Sequence, residues 1–390
     1  MLRFSNCRVV TPSAILDQDL LVDDVGVIIR IQDRTNRTND ATVIDGGGAF
    51  AFPGMLDLLT HGYGHHFYGD ANPGAIGENS EILPRHGVTG FVPSFLSQAT
   101  DRLFAILGSL ADQATGEGAR VLGIHSEGPC LNAPGAHDAA RLSLPSAKLA
   151  DQMLEAAQGR LKVVTLAPEL QGSRAFVDVM IRAGISLHLG HSLSSPDQVN
   201  EFADWGIKGV THMYDVFFPA ALKESGLYPV SLADAILAEP RLCMGLICDG
   251  VHTEQIQTKL LTQLPPDRLF LETDSMKFTG LPPGRFEFYP GTWAQSAPDG
   301  VIRLDGGELA GSLATSDQAL RNLVDFTGID LPRASHATSL NPARLIGMDD
   351  ELGSLEPGKQ ADIVLLDPSN LSVLSTYVGG KKVFDHGTPA

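Results

Sequence analysis

The chain has 390 residues, enough for two or three domains at roughly 150 residues each, and its 43% hydrophobic and 19% charged residues exclude a disordered or fibrous protein. Twenty-eight Lys and Arg against 46 Asp and Glu give a net charge of −18, a field that repels phosphate backbones and excludes non-specific nucleic-acid binding, so a small molecule is the expected partner. Cys7, Cys130, Cys243 and Cys248 form no C-x-x-C pair, the N-terminal MLRFSNCRVV has no apolar export core, and no window reaches the ~18 apolar residues of a membrane span, so a soluble cytoplasmic chain without disulfides, thiolate zinc or membrane contact is expected.

From Leu2 to Ala49, short runs such as CRVV, DLLVD and GVIIRI, rich in β-branched residues and broken by polar clusters, predict strands and no helix. The three glycines at 46–48 precede no P-loop Lys-Ser/Thr and are read as a turn, not a phosphate cradle. Over residues 51–350 the texture changes. Apolar runs at Met55–Leu59, Val88–Pro93, Val121–His125, Leu161–Leu166, Ile185–Leu189, Ile207–Thr211, Leu242–Cys248 and Arg268–Thr273 alternate with helix-like segments. Runs so continuous suit strands buried on both faces of a parallel sheet, and eight such units close a TIM barrel. The helical half is clearest after Thr100, where Leu103, Phe104, Leu107, Leu110, Ala111 and Ala114 recur along one face; 197–205 and 315–326 read as helices too. After Gly353 strand texture returns in ADIVLLD, LSVLSTYV and KKVFDHG, the last two joined by Gly379-Gly380 as a hairpin turn. The expected architecture is α/β: a (β/α)8 TIM barrel over 51–350 with a small β-sandwich domain built from 1–50 and 351–390.

A barrel enzyme carries its chemistry at the C-terminal ends of the strands. Here strand one runs into His61, three into His125-Ser126-Glu127, five into His191, six into His212, seven into Asp249 and His252, and eight into Asp274. Imidazole nitrogen and carboxylate oxygen are the usual ligands of a catalytic divalent metal that keeps one position open for water. A single strand-end histidine is more often a hydrogen-bonded structural group, but convergence on one mouth favours the metal reading for His191 and His212. His188, three residues before His191, falls by strand alternation on the opposite face, toward the helices, and is read as packing. His86, His336 and His386 stand in no motif and are read the same way; His65 and His66 are read as exposed loop residues.

The motifs His125-Ser-Glu-Gly-Pro-Cys-Leu-Asn, Gly135-Ala-His-Asp, Gly190-His-Ser, Thr211-His-Met, Cys248-Asp-Gly-Val-His, Thr273-Asp-Ser-Met and Leu309-Ala-Gly-Ser follow one another along the chain. With Leu340-Asn-Pro-Ala-Arg-Leu-Ile-Gly and Gly358-Lys-Gln-Ala-Asp-Ile-Val near the end, the ordered set resembles N-acetylglucosamine-6-phosphate deacetylases of the amidohydrolase superfamily. That resemblance implies that Glu127, His191 and His212 hold one divalent metal, zinc by default, with iron, cobalt and manganese also suited to such ligands. It implies Asp274 as catalytic acid/base and His252 as the contact to the acyl group. Ala136, His137, Asp215, Val216, Lys223, Leu309, Ala310 and Gly311 are the implied substrate-binding residues, His137 through the sugar ring. The implied reaction is hydrolysis of the acetamide of an N-acetylated amino sugar, giving acetate and the free amine. The implied assembly is a homodimer in which Lys223 serves the neighbouring active site.

Two departures from the family pattern stand out. Many amidohydrolases carry His-x-His after strand one as ligands of a second metal, whereas this chain reads Leu59-Thr60-His61; leucine cannot coordinate, so one tightly held metal is expected, with His61 unused or outside its ligand shell. Strand four ends Ala167-Pro168-Glu169, without the lysine that bridges two metals in some relatives, which argues against the cyclic-amide hydrolase branch. At the sugar-phosphate end the deacetylases carry Asn-Ala and an Arg, where this chain has Asp215-Val216 and Lys223. An Asp beside a dianion repels it, and Lys offers a point charge in place of a bidentate fork. Either the phosphate sits differently, or the sugar carries another group there, or Asp215 faces away and Lys223 suffices. Two other functions stay open: another amidohydrolase reaction, such as deamination or deacylation of an N-acyl amino acid, and a non-catalytic sugar-binding barrel.

Overall fold

Each of the eight apolar runs forms a parallel strand in the computed structural model, which describes residues 1–36, 40–113, 116–218, 224–289 and 291–387. Barrel strands one to eight are Met55–Thr60, Val88–Phe95, Ile124–Glu127, Leu161–Leu166, Ser186–Leu189, Gly209–Val210, Cys243–Leu246 and Leu269–Leu271. They pair in sequence order. Between strands eight and one the circle closes through single bonds: Asp274 N–H donates to Leu59 O at 2.9 Å and His61 N–H to Ser275 O at 2.7 Å. The Asp57 carboxylate seals the same seam, accepting the Thr273 hydroxyl at 2.6 Å and the Thr273 N–H at 3.2 Å.

Residues alternate along each strand between the barrel interior and the helix layer. Leu58, Val92, Val163, Cys243 and Phe270 meet inside, while Leu187, Leu189 and Leu271 join the core that the helices cover. The helix expected after Thr100 is Thr100–Asp112 and buries Leu103, Ile106, Leu107, Leu110 and Ala111; Ala114 lies outside the described residues. The helix expected over 197–205 is a 3-10 turn, Pro196–Gln198, continuing into Val199–Asp204, and that expected over 315–326 is Ser316–Thr327.

His188 corrects the sequence reading. Its ring lies 5.7 Å from Phe270 and 6.0 Å from His125, inside the barrel and not toward the helices. Alternation fails as a guide because His191 lies beyond the strand, at φ +51°, where the left-handed backbone turns a second side chain to the face His188 already occupies.

The chain ends build two further sheets. Leu2–Ser5, Asp19–Val22, Ile28–Gln32 and Thr42–Asp45 form one; Arg8–Val10, Ile15–Leu16, Phe50–Pro53, Ile363–Leu366, Val373–Val378 and Lys381–Asp385 form the other. Phe4, Val9, Leu20 and Ile28 share a core with Leu355, Ile363, Leu365 and Tyr377, and Phe4 packs edge-on against Tyr377 at 4.8 Å. Gly379 and Gly380, at φ +54° and +74°, make the hairpin turn that a Gly-Gly pair predicts.

The sequence reading has no counterpart for a four-stranded antiparallel sheet, Arg285–Tyr289, Thr292–Ser296, Val301–Leu304 and Leu309–Ser312, inserted after strand eight. Phe286, Phe288 and Ile302 from it pack with Phe67, Leu96 and Met276, which roofs the barrel mouth on one side. No described helix is long and apolar enough to cross a membrane.

Burial pushes the Asp57 carboxyl up to about 6, against the hydrogen bonds from Thr273 and Leu59. The unfolded chain releases that proton near 4, so between these values the folded state binds more protons and stability falls as pH rises. Asp57→Asn removes the titration. Its urea-unfolding free energy relative to the parent should gain on the order of 2–3 kcal/mol between pH 4 and 6.5 and then level off; a pH-independent difference would contradict the assignment.

Candidate metal and substrate site

Glu127 ends strand three, and His191, His212 and Asp274 directly follow strands five, six and eight. The last three have φ of +51°, +32° and +48°, a region L-residues avoid at roughly 1–3 kcal/mol each. Neighbouring groups hold each one there. Asn132 and Ala133 donate N–H bonds to His191 O at 3.0 and 2.8 Å, and Ser312 N–H donates to Asp274 O at 2.9 Å. His212 N–H donates to Glu272 Oε1 at 2.6 Å.

These constraints bring three ligand-type atoms together. Glu127 Oε1 lies 3.2 Å from His191 Nε2 and 3.0 Å from His212 Nε2, and the two imidazole nitrogens are 3.2 Å apart. His191 Nδ1 faces Ala133 O at 2.9 Å. A carbonyl only accepts, so Nδ1 carries the hydrogen and Nε2 of the neutral ring presents a lone pair. Lone pairs meeting at this spacing repel unless a cation lies among them, and one carboxylate with two imidazoles is a donor set that suits a divalent ion. The residues therefore fit the metal that the motifs imply.

Glu127, His137 and His191 also lie within ligand reach of one another, but hydrogen bonding gives His137 a different part. Its Nδ1 accepts the Ser97 N–H at 3.0 Å, so in the neutral ring Nε2 carries the hydrogen and points it at Glu127 Oε2, 3.3 Å away. Burial pushes the His137 pKa down to about 4, keeping the ring neutral. His137 is thus a donor into the cavity, not a lone pair.

His61 is drawn into the site although no motif required it. Its Nε2 stands 3.1 Å from both Glu127 Oε2 and Asp274 Oδ1, and these three residues form a second group of ligand atoms within reach of one another. Burial opposes charge on His61, yet the Asp274 and Glu127 carboxylates outweigh it and lift the pKa to about 9. Leu59, two residues before His61, is fully buried. Glu169, at the strand-four position that lacks a lysine, turns outward to cap the neighbouring loops, accepting Asn132 Nδ2 and Leu193 N–H.

The cavity above these residues is lined by Ala136, His137, Asp215, Val216, Leu309, Ala310 and Gly311, all singled out in the sequence, and by Leu96, Met276 and Phe288, which were not. Lys223 lies outside the described residues. The reading in which Asp215 faces away is corrected, because Asp215 is part of the cavity wall; no Lys or Arg is, among the described residues. The histidines read as bystanders are otherwise engaged: His86 bonds Tyr63 Oη at 2.6 Å and Asp317 at 3.0 Å, His66 bonds Glu78, and His336 bonds Pro12 O.

His252 Nδ1 lies 2.6 Å from Asp249 Oδ2, while Asp249 Oδ1 accepts the N–H groups of Val251 and His252 at 2.8 Å. Its Nε2 is buried without a protein partner among the described residues. Burial lowers and the Asp249 carboxylate raises its pKa, and the carboxylate wins. Sequence reasoning named Asp249 at its strand end without a role; the Asp-x-x-His spacing was the available signal. The charged pair is present at low pH and lost as pH rises through the raised value, so Asp249→Asn should move the His252 titration, read by NMR, down toward that of an unpaired buried imidazole. An unmoved titration would remove Asp249 as its cause.

The amidohydrolase family model matches residues 50–383. The chain is 30% identical over 398 residues to N-acetylglucosamine-6-phosphate deacetylase of Bos taurus, covering 98% of this chain and 96% of that one. It is 32% identical over 379 residues to N-acetylgalactosamine-6-phosphate deacetylase of Escherichia coli, covering 96% and 97%. Among solved structures, N-acetyl-D-glucosamine-6-phosphate deacetylase from Mycobacterium smegmatis is similar with a TM-score of 0.88 at 26% identity, over 98% of this chain and 100% of that one. The ordered strand-end residues, the cavity they line and these full-length likenesses agree, and the chain belongs to the amidohydrolase family, within its N-acetylglucosamine-6-phosphate deacetylase branch.

Proposed function

We propose that this chain is a metal-dependent deacetylase of N-acetylated amino sugars, acting on N-acetylglucosamine-6-phosphate or a close relative and releasing acetate and the free amino sugar. The observation that carries the reading is the Asp274 carboxylate in one cavity with Glu127, His191 and His212: a base is set beside a cation-holding trio, which a binding module does not need. Full-length likeness to named deacetylases of both glucosamine and galactosamine derivatives supports the substrate class.

Glu127, His191 and His212 would hold a divalent metal, zinc by default, which when bound would supply Lewis-acid activation of water and of the acetyl carbonyl. Asp274 takes the proton as the water oxygen closes on the carbonyl carbon, then hands it to the departing amine. His252, with its Nδ1 facing Asp249, donates from Nε2 in its protonated form, which the Asp249 carboxylate favours, to the carbonyl oxygen as negative charge grows there. His137, whose Nε2 hydrogen points at Glu127 Oε2, turns that donor to the sugar ring when substrate is bound, and His61, 3.1 Å from both carboxylates, links Glu127 to Asp274. Exposed Leu227, Tyr228 and Val230 offer an apolar face that fits a homodimer. The free, buried cysteines suit a reducing cytoplasm.

Asp274→Asn should keep its metal content and lose at least ~10²-fold in turnover, as for removal of a general base; an active variant would take Asp274 out of the mechanism. A panel of N-acetyl hexosamines with and without a 6-phosphate, read by acetate release, defines the substrate. Acetate from at least one member is the expected result. Ammonia release, or hydrolysis of N-acyl amino acids alone, would replace this reading with another amidohydrolase reaction.

A further inference from the structure

The carboxyl group of Glu272 has no part in the chemistry above, yet it is among the most deeply buried ionisable groups, 1% exposed. It sits two residues before Asp274, where strand alternation turns it inward above Phe270, directly beneath the metal-type site. One oxygen, Oε1, accepts the His212 N–H at 2.6 Å; the other is buried with no partner among the described residues.

The surrounding main chain explains the demand for an acceptor. Thr211 N–H donates to Leu189 O at 2.9 Å and Met213 N–H to Gly245 O at 2.7 Å, each a strand-to-strand bond. Between them His212, at φ +32°, is rotated out of the ladder, and a side chain takes the place of the missing carbonyl. Glu272 reaches that N–H by lying across strand seven over Gly245. A Cβ on residue 245 would stand 2.1 Å from Glu272 Oε1 and 2.5 Å from its Cδ, so the bare backbone there is a requirement of the contact.

We propose that Glu272 is a positioning residue for His212: its carboxyl, seated over Gly245, fixes the left-handed backbone that aims the His212 imidazole at the cation. This rests on the reading of His212 as a metal ligand. With an apolar residue at 272 the buried N–H has no acceptor, and His212 relaxes toward the ordinary strand conformation and away from Glu127 and His191. Removing such an outer contact typically weakens metal binding by 10–100-fold.

The test is metal affinity of the full-length protein, measured by competition between zinc and a chromogenic chelator, for the parent, Glu272→Leu, Glu272→Gln, Gly245→Ala and His212→Ala. Glu272→Leu and Gly245→Ala should bind roughly 10–100-fold more weakly, whereas Glu272→Gln, whose amide oxygen accepts the same N–H, should stay within a few-fold. Parental affinity in Glu272→Leu with weakened His212→Ala overturns the proposal and leaves the ligand reading standing. Parental affinity in His212→Ala overturns the ligand reading and the proposal with it. Should Glu272→Leu fail to fold, the other two variants decide: a loss in Glu272→Gln as large as in Gly245→Ala means that the acceptor is not what matters and overturns the proposal.

Discussion

Three atoms with lone pairs, Glu127 Oε1, His191 Nε2 and His212 Nε2, lie 3.0–3.2 Å apart in a buried site, and much of the barrel's upper half is organised around keeping them there. Such a grouping is unfavourable without positive charge at its centre. The field is strong enough that Glu127, Asp215 and Asp274 lift His212 to about 10 against the effect of burial, and a divalent cation competes with that proton for the same lone pairs. The ligand groups cannot relax apart because the backbone of each is tied to a neighbouring strand or loop. Strain at His191 and His212 is thereby balanced by hydrogen bonds that would otherwise go unmade.

Below the site the interior is layered by polarity. Leu58, Val92, Val163, Cys243 and Phe270 form an apolar floor. Above it His125 bonds Leu58 O and Thr165 Oγ1, and Thr165 bonds Thr211, a buried polar level whose donors and acceptors satisfy one another. Burial pushes His125 down to about 4 and Glu272 up to about 8, so the groups under the cation site tend toward neutrality at ordinary pH. The charge of the interior is concentrated in the top layer, where substrate and solvent reach it, and the layer beneath transmits position without adding charge.

What the sequence made legible was whatever depends on local pattern. Continuous apolar runs located all eight strands, and polar residues at their ends pointed to Glu127, His191, His212 and Asp274, which line one cavity, because a barrel sends strand ends to one mouth whatever the loops do; His252, read from the same pattern, is not among the lining residues. Three things were not legible. The face of His188 was misjudged because a single left-handed residue, His191, breaks the period on which the inference rests. Strands over 285–312 were missed although Phe286 and Phe288 alternate with exposed Glu287; a short insertion competes poorly with the stronger βα signal. Glu272 was overlooked inside an apolar run, where its charge was itself the signal, since a carboxylate is tolerated in such a strand only with a partner that lies far away in sequence.

The two ends of the cavity obey different constraints. At the amide end the geometry is over-determined by strand termini and leaves little room for variation. Apart from the strand-end residues and His137, the wall consists of apolar Leu96, Ala136, Val216, Met276, Phe288, Leu309, Ala310 and Gly311 with one further carboxylate, Asp215. A phosphate oxygen brought within 4 Å of that carboxylate would be opposed by roughly 4 kcal/mol per pair of unit charges at an effective dielectric of 20. A phosphate is therefore favoured only where it projects away from Asp215, while a sugar hydroxyl in the same place donates to Asp215 directly. Glu127, His191, His212 and Asp274 stand at the ends of strands three, five, six and eight, whereas Asp215 stands on the loop after strand six, so a substitution at Asp215 alters the cavity wall while those four side chains and their supports stay as they are.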